Sequence, residues 1–415
     1  MFVNIIKKCF RKGIYIIKSC VKDVMAWKHL VTMQRRTHTE KKIKVGFIVQ
    51  MYEIWDKSVS VYNEMKDRAE FETFILVVPP YDMNTKQVSS DYADNPFIKE
   101  YPEAIKALDN AGNTIDVSVL NLDYVFYPRP YDHYLPEKIR SHQLFKKVKC
   151  CYIPYGFSGA LAFNDGNSNP DFFRYIYITF LDSDYMKNLM ISKFRFSSFT
   201  KLRYFENLGY PSLESYLNKT ATERRKTILW TPRWSYDERL GGSHFLELKD
   251  IFFKIKERHK DWNLIFRPHP LMFEEFVSKE IMTQNEVDKY LEQLMKYGIT
   301  YDHSTSIEEA IDNADILLTD YSSIIINFYL TGKPVIYCKS KIKLNEIFEE
   351  IFKSIYIAEK DSDVERFVDL LIEGKDDLKE ARLDTINKLF SDCNGSASKI
   401  SDWIINDYKK GCKTE

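Results

Sequence analysis

Short apolar runs, each closed by a polar or proline-containing turn and followed by residues at helical spacing, recur along the whole chain. In the first half they cover residues 45–49, 74–78, 124–127, 148–153 and 175–178. In the second half they cover residues 227–230, 262–266, 299–301, 316–318, 335–337 and 355–357. Continuous apolar runs predict strands buried on both faces, and helical stretches between them predict βα units in parallel sheets. Eleven such strands exceed a normal single sheet, and the polar, charged stretch near 211–225 is the natural boundary. The pattern predicts an α/β protein of two Rossmann-like domains whose parallel sheets face a central cleft. The expected divisions are a basic helical segment at 1–43, a first domain at 44–211, a linker at 212–225, a second domain at 226–392 and a helical end at 393–415.

Charge changes the picture at one end of the chain. Sixty basic and sixty acidic residues cancel, which argues against a nucleic-acid binder. Yet residues 1–44 hold twelve Lys and Arg against Asp23 and Glu40. Within them Ile6, Phe10, Ile14, Ile17, Val21 and Val24 fall on one helical face. The longest apolar run there is far short of the ~20 residues a bilayer span needs, and no small-residue cleavage site follows it. The segment predicts a helix lying in the plane of an anionic membrane surface, with each surface Lys or Arg contributing about 1 kcal/mol. The alternative is a helix docked on the protein's own body. Seven scattered cysteines without a CxxC pair read as reduced thiols in a cytosolic setting. No zinc-finger, P-loop or GxGxxG spacing is present.

Candidate chemistry gathers at three strand ends of the second half. The run 316–318 ends in Asp320-Tyr321-Ser322-Ser323 and passes straight into a helical pattern. Backbone N–H groups, two hydroxyls and a helix dipole then point at one place, which suits a phosphate; the same serines also fit a capped turn without a ligand. The run 262–266 ends in Arg267-Pro268-His269-Pro270. Arg offers a fork of donors, and His can donate to a bridging oxygen or protonate a leaving group. The run 227–230 ends in Thr231-Pro232-Arg233-Trp234-Ser235, whose hydroxyls and guanidinium suit the same ligand. Ligands of parallel sheets bind outside the carboxyl ends of strands.

In order and separation these motifs resemble the CDP-glycerol glycerophosphotransferase family, over roughly residues 205–340. The matching positions are 231–235, 267–270, 320–323 and Lys333-Pro334 before another strand, together with Gly209-Tyr210-Pro211. The resemblance implies the GT-B fold, with an acceptor domain first, a nucleotide-donor domain second and terminal helices that cross back to the first. It implies His269 and Arg267 as catalytic residues, and Thr231, Arg233, Ser235, Asp320, Ser322 and Ser323 as donor-binding residues. On the acceptor side the family usually has a His-Gly, where this chain has Tyr155-Gly156. His133 and Asp165 are further acceptor-side candidates, and Lys57, Arg129 and Arg174 are cations available to an anionic acceptor. Ser235 replaces a family Arg, and Asn327 stands where the family often has Asp.

The expected activity is transfer of a polyol phosphate, glycerol phosphate first, from a CDP-activated donor to a hydroxyl of a cell-surface polymer or glycolipid, with CMP leaving. No metal and no cofactor beyond the donor is expected. The expected setting is the inner face of the cell membrane of a bacterium making teichoic acid, capsule or cell wall. Two alternatives stay open. The His-Pro and Ser-Ser motifs also look like those of sialyl- and Kdo-transferases that use CMP-sugars. A nucleotide-binding scaffold without catalysis is the other.

Overall fold

The computed structural model describes residues 2–35, 42–82, 87–89, 91–217, 225–304 and 307–411, with side chains of the first helix described from Ile17 onward. Each of the eleven apolar runs lies in or overlaps a strand. The chain forms two units. Residues 1–155, 165–212 and 395–415 make the first, and 156–164 with 213–394 make the second.

The first unit contains β1 (Ile43–Val49), β2 (Phe71–Val77), β3 (Tyr81–Asp82), β4 (Gln87–Val88), β5 (Ile105–Lys106), β6 (Tyr124–Tyr127), β7 (Lys149–Tyr152), β8 (Ile178–Phe180) and β9 (Tyr204–Glu206). Seven of these form one sheet in the order β5-β2-β1-β6-β7-β8-β9, with every pairing parallel. The strands β3 and β4 form a separate antiparallel pair. The sheet is buried on both faces: Phe47 stacks on Phe126 at 4.8 Å on one side, while Val125, Tyr127 and Cys150 pack into the other. Sequence reading begins a strand at residue 175, but Tyr175 and Ile176 close turns onto Phe172 and Phe173, so the sheet resumes only at Ile178.

The second unit contains β10 (Thr227–Thr231), β11 (Asn263–Phe266), β12 (Thr300–Tyr301), β13 (Ile316–Thr319), β14 (Val335–Cys338) and β15 (Tyr356–Ala358). Their order is β12-β11-β10-β13-β14-β15, all parallel. Counted within the unit this is the 3-2-1-4-5-6 order of a doubly wound sheet, whose ligand crevice opens where the order reverses, between the first and fourth strands. Trp230 anchors the core below that point, packed against Phe245, Phe252 and Phe266.

Two helices are tied to the first unit by buried polar groups. The helix Ser396–Lys410 carries Asp407, whose carboxylate accepts from Tyr124 (2.7 Å), Tyr177 (2.9 Å) and Lys149 (2.7 Å). The long first helix, α1 (Phe2–Gln34), is held by Arg174, which donates to Asp23 and Ser19, each at 2.7 Å. Arg174, a candidate for an anionic acceptor, is thus a buried structural cation. Ala26, Leu30 and Met33 of α1 are buried, whereas Ile17, Val21, Val24 and Met25 are exposed. Ile6, Phe10 and Ile14 of the expected apolar face lie outside the described side chains. No helix among the described residues is long and apolar enough to cross a membrane. The first half of the stretch read as a linker is the helix Pro211–Leu217, and residues 218–224 lie outside the described residues.

Candidate functional site

Three loops meet at the carboxyl ends of β10, β11 and β13, because β10 lies between the other two in the sheet. Their polar residues divide into those facing into the protein and those left without partners.

Asp320, 1% exposed, is the centre of the arrangement. Its carboxylate accepts the Arg233 amide at 2.9 Å, the His244 amide at 3.2 Å and the His244 Nδ1–H at 2.6 Å. One acid thereby fixes the loop after β10, the turn after β13 and the Gly241-Gly242-Ser243-His244 segment. Burial opposes a charge on His244, but the hydrogen bond and charge of Asp320 outweigh it and raise its pKa above the ordinary value. Cys338 completes a trio with His244 and Asp320 whose possible ligand atoms lie within 4.8 Å of one another. Both Asp320 oxygens accept N–H bonds, and the Asp320–His244 pair anchors the loop.

Arg233 is 8% exposed and makes no ion pair among the described residues. Its Nη1 donates to the Tyr321 carbonyl at 2.6 Å, while its buried Nε has no partner. Ser322 is its counterpart on the next loop, with a buried Oγ that also lacks a partner. A buried N–H and O–H left unsatisfied cost about 1–3 kcal/mol each unless something binds them. Gly241 makes room for the guanidinium. Its φ is +112°, and a Cβ there would sit 2.7 Å from Arg233 Nε.

His269 follows β11. The Leu271 amide donates to its Nδ1 at 3.2 Å, so the neutral ring carries its proton on Nε2. His269 is itself exposed, yet partial desolvation of the ring and then the charge of Arg233 push its pKa down to about 4. At neutral pH it is an uncharged N–H donor.

Of the remaining donor-side candidates, Arg267, Thr231 and Ser235 are engaged, whereas Ser323 is exposed. Arg267 is paired with Asp302 at 2.6 Å and also donates to the Ser304 Oγ and carbonyl. Thr231 Oγ1 donates to Thr319 Oγ1 inside the sheet at 2.7 Å. Ser235 is fully buried and accepts the Asp237 amide. Ser323 begins the helix Ile324–Tyr329 without a side-chain cap. His244 escaped sequence reading; the Gly-Gly preceding it was the one available signal, a backbone pattern for close approach.

Acceptor-side candidates are dispersed. Tyr155 belongs to the first unit and Gly156 to the second. The Tyr155 hydroxyl lies 3.4 Å from that of Tyr131, and burial pushes its pKa up, the wrong direction for a base. His133 is exposed and stacks on Tyr134 at 4.0 Å. Asp165 is fully exposed and pairs with Lys193. Lys57 is bound to Asp56 and Ser212.

Residues 181–368 match the sequence model of the family described as CDP-Glycerol:Poly(glycerophosphate) glycerophosphotransferase. Over that segment the chain is similar to this family of transferases. All three loops described above fall inside it. No curated protein matches the chain in sequence. Among solved structures, the chain resembles a putative UDP-N-acetylglucosamine 2-epimerase from Listeria monocytogenes, with 12% identity, a TM-score of 0.58 and coverage of 89% of this chain and 97% of that one. It similarly resembles the Neisseria meningitidis UDP-GlcNAc 2-epimerase bound to UDP-GlcNAc, with 11% identity, a TM-score of 0.58 and coverage of 88% and 100%. A third is the Methanocaldococcus jannaschii enzyme in complex with UDP-GlcNAc and UDP, at 14% identity, TM-score 0.54 and the same coverage. At such identities the likeness is one of fold, and the fold is GT-B.

Proposed function

We propose that this chain moves a polyol phosphate, glycerol phosphate first, from a CDP-activated donor to a hydroxyl of a surface polymer or glycolipid. The observation that carries the reading is the pair of unpartnered buried donors, Arg233 Nε and Ser322 Oγ, with the uncharged Nε2–H of His269 on the adjoining strand end, whose titration feels the charge of Arg233. Three donors from three adjacent strand ends suit the diphosphate of a nucleotide-activated donor.

In the step, the acceptor oxygen attacks the phosphorus that bears the polyol. The bond from that phosphorus to the bridging oxygen breaks, and CMP leaves with the bridging oxygen and its electron pair. Arg233 stabilises the charge that develops there, with Ser322 donating to a non-bridging oxygen. His269 acts by hydrogen bonding, since a group with a pKa of about 4 holds no spare proton at neutral pH. Arg267, neutralised by Asp302, is a positioning residue in this scheme. Solvent or the acceptor's own phosphate takes the hydroxyl proton, because Tyr155 is unsuited to it.

The proposed setting is the inner face of a membrane. Its support is the exposed α1 row Ile17, Val21, Val24 and Met25 with exposed Lys18, Lys22 and Lys28 beside it. Phe196, itself exposed and packed on Trp27 at 4.4 Å, extends that apolar surface.

The deciding experiment incubates the purified chain separately with CDP-glycerol, CDP-ribitol and CMP-sialic acid and measures CMP release. Release from a CDP-polyol alone supports the proposal, and release from CMP-sialic acid alone replaces it with a sugar transferase. Nucleotide binding without release from any donor leaves a scaffold.

A further inference from the structure

The first unit has its own order reversal, between β1 and β6, and an uncompensated cation sits there. Arg129 follows β6, held between Pro128 and Pro130, and Gln50 follows β1. Gln50 is 4% exposed, and its Nε2 donates to the carbonyls of Pro79 (3.0 Å) and Tyr134 (3.1 Å). Those two bonds fix which end of the amide is oxygen. That oxygen accepts from Arg129 Nη2 at 2.6 Å. The guanidinium also lies over the Tyr134 ring, 4.6 Å from its centre.

Everything that positions Arg129 is therefore neutral. It makes no ion pair among the described residues, and its removal from water lowers its pKa. A half-buried guanidinium without a carboxylate is stabilised by an incoming anion. Beside it is a cavity of about 430 Å³ whose lining includes Tyr52, Glu53, Tyr81, Asn95, Arg129 and Tyr134; Glu53 is exposed and makes no ion pair with Arg129. Asn95 uses its carbonyl oxygen to cap the Phe97 amide, which leaves its NH2 as a second donor. The tyrosine faces suit the C–H surfaces of a polyol or sugar. Arg174 and Lys57 are closed off by their own partners, so the structure selects Arg129 from the three cations considered for an acceptor.

We infer that this cavity is a phosphate-binding subsite for the acceptor, in which Arg129, oriented by Gln50, grips a phosphate or phosphodiester while the tyrosines pack on the attached polyol. The inference rests on the transferase reading for the word acceptor, but the anion site itself does not.

The test is binding of glycerol 3-phosphate to the full chain by calorimetry, with glycerol as the uncharged control and phosphatidylglycerol vesicles as the lipid form of the same headgroup. Wild type should bind glycerol 3-phosphate and not glycerol. Arg129→Gln should weaken binding about tenfold or more, as loss of a charge-assisted bond implies, and Arg129→Lys should fall between. If Arg129→Gln fails to fold, Arg129→Lys carries the test, since a point charge lacks the fork that Gln50 orients. A loss confined to vesicles identifies a lipid headgroup, and a loss with the soluble probe identifies a free or polymer phosphate. Folded variants that bind every probe like wild type overturn the inference, as does equal binding of glycerol. Arg129-dependent binding without CMP release from any donor would sink the transferase reading alone. CMP release with an unchanged acceptor KM in Arg129→Gln would sink the subsite alone.

Discussion

Ser322 separates the ligand-binding role of a side chain from its structural role. Its buried hydroxyl has no partner in the free protein, so Ser322→Ala removes an unsatisfied group rather than a bond. Thermal melts should therefore show an unchanged or slightly higher Tm, while calorimetry should show nucleotide-donor affinity reduced about tenfold. A marked drop in Tm would mean the hydroxyl has a structural partner. His244 behaves in the opposite way. Its folded pKa lies above the ordinary value of about 6.5 because Asp320 outweighs burial. The stability it supplies is fully present below that value and is lost as pH rises through the folded pKa. Wild type should lose Tm over that interval by an increment that His244→Gln lacks; parallel curves for the two proteins would refute the pairing. Sequence reading proposed Ser322 and Arg233 from their places at strand ends, and in the structure each has a buried polar atom without a partner. It assigned Thr231, Ser235 and Arg267 to the same ligand because the sequence does not record which partner a hydroxyl or guanidinium finds. Those partners, Thr319, Asp237 and Asp302, lie far along the chain or on the next turn.

At the scale of elements, continuous apolar runs located the strands because a strand buried on both faces needs no alternation to be recognised. What escaped were the short β3–β4 pair and, in the main sheet, β5 and β9, which are two and three residues long and include Lys106 and Glu206. Such short edge pieces are strands through their neighbours' hydrogen bonds more than through their own side chains. The Gly241 segment shows how an element shapes the site. Its positive φ and the 2.7 Å approach a Cβ would make to Arg233 leave no room for a side chain. Gly241→Ala should destabilise the fold by about 1 kcal/mol or more from backbone strain and displace the guanidinium. Donor KM should then rise more than kcat falls. An unchanged KM would show that Arg233 does not touch the donor.

At the scale of the whole molecule, α1 combines two faces that the sequence had left as alternatives. Arg174, Asp23 and the buried Ala26, Leu30 and Met33 dock the helix on the first unit, while Ile17, Val21 and Val24 remain exposed. Replacing those three with serine spares the docking contacts, so vesicle co-sedimentation should fall sharply with Tm unchanged. Full retention on anionic vesicles would remove the membrane role of this face. The amino-acid order alone determined the α/β class, the division into two sheets and the family motifs, since burial on both faces and turn chemistry are written locally. Only the tertiary structure decided which cations stay unpaired. Arg174 and Arg129 are alike in sequence, but distant Asp23 neutralises one and Gln50 merely orients the other. A charge's availability depends on what the fold brings within a few ångströms, and no local pattern encodes that distance.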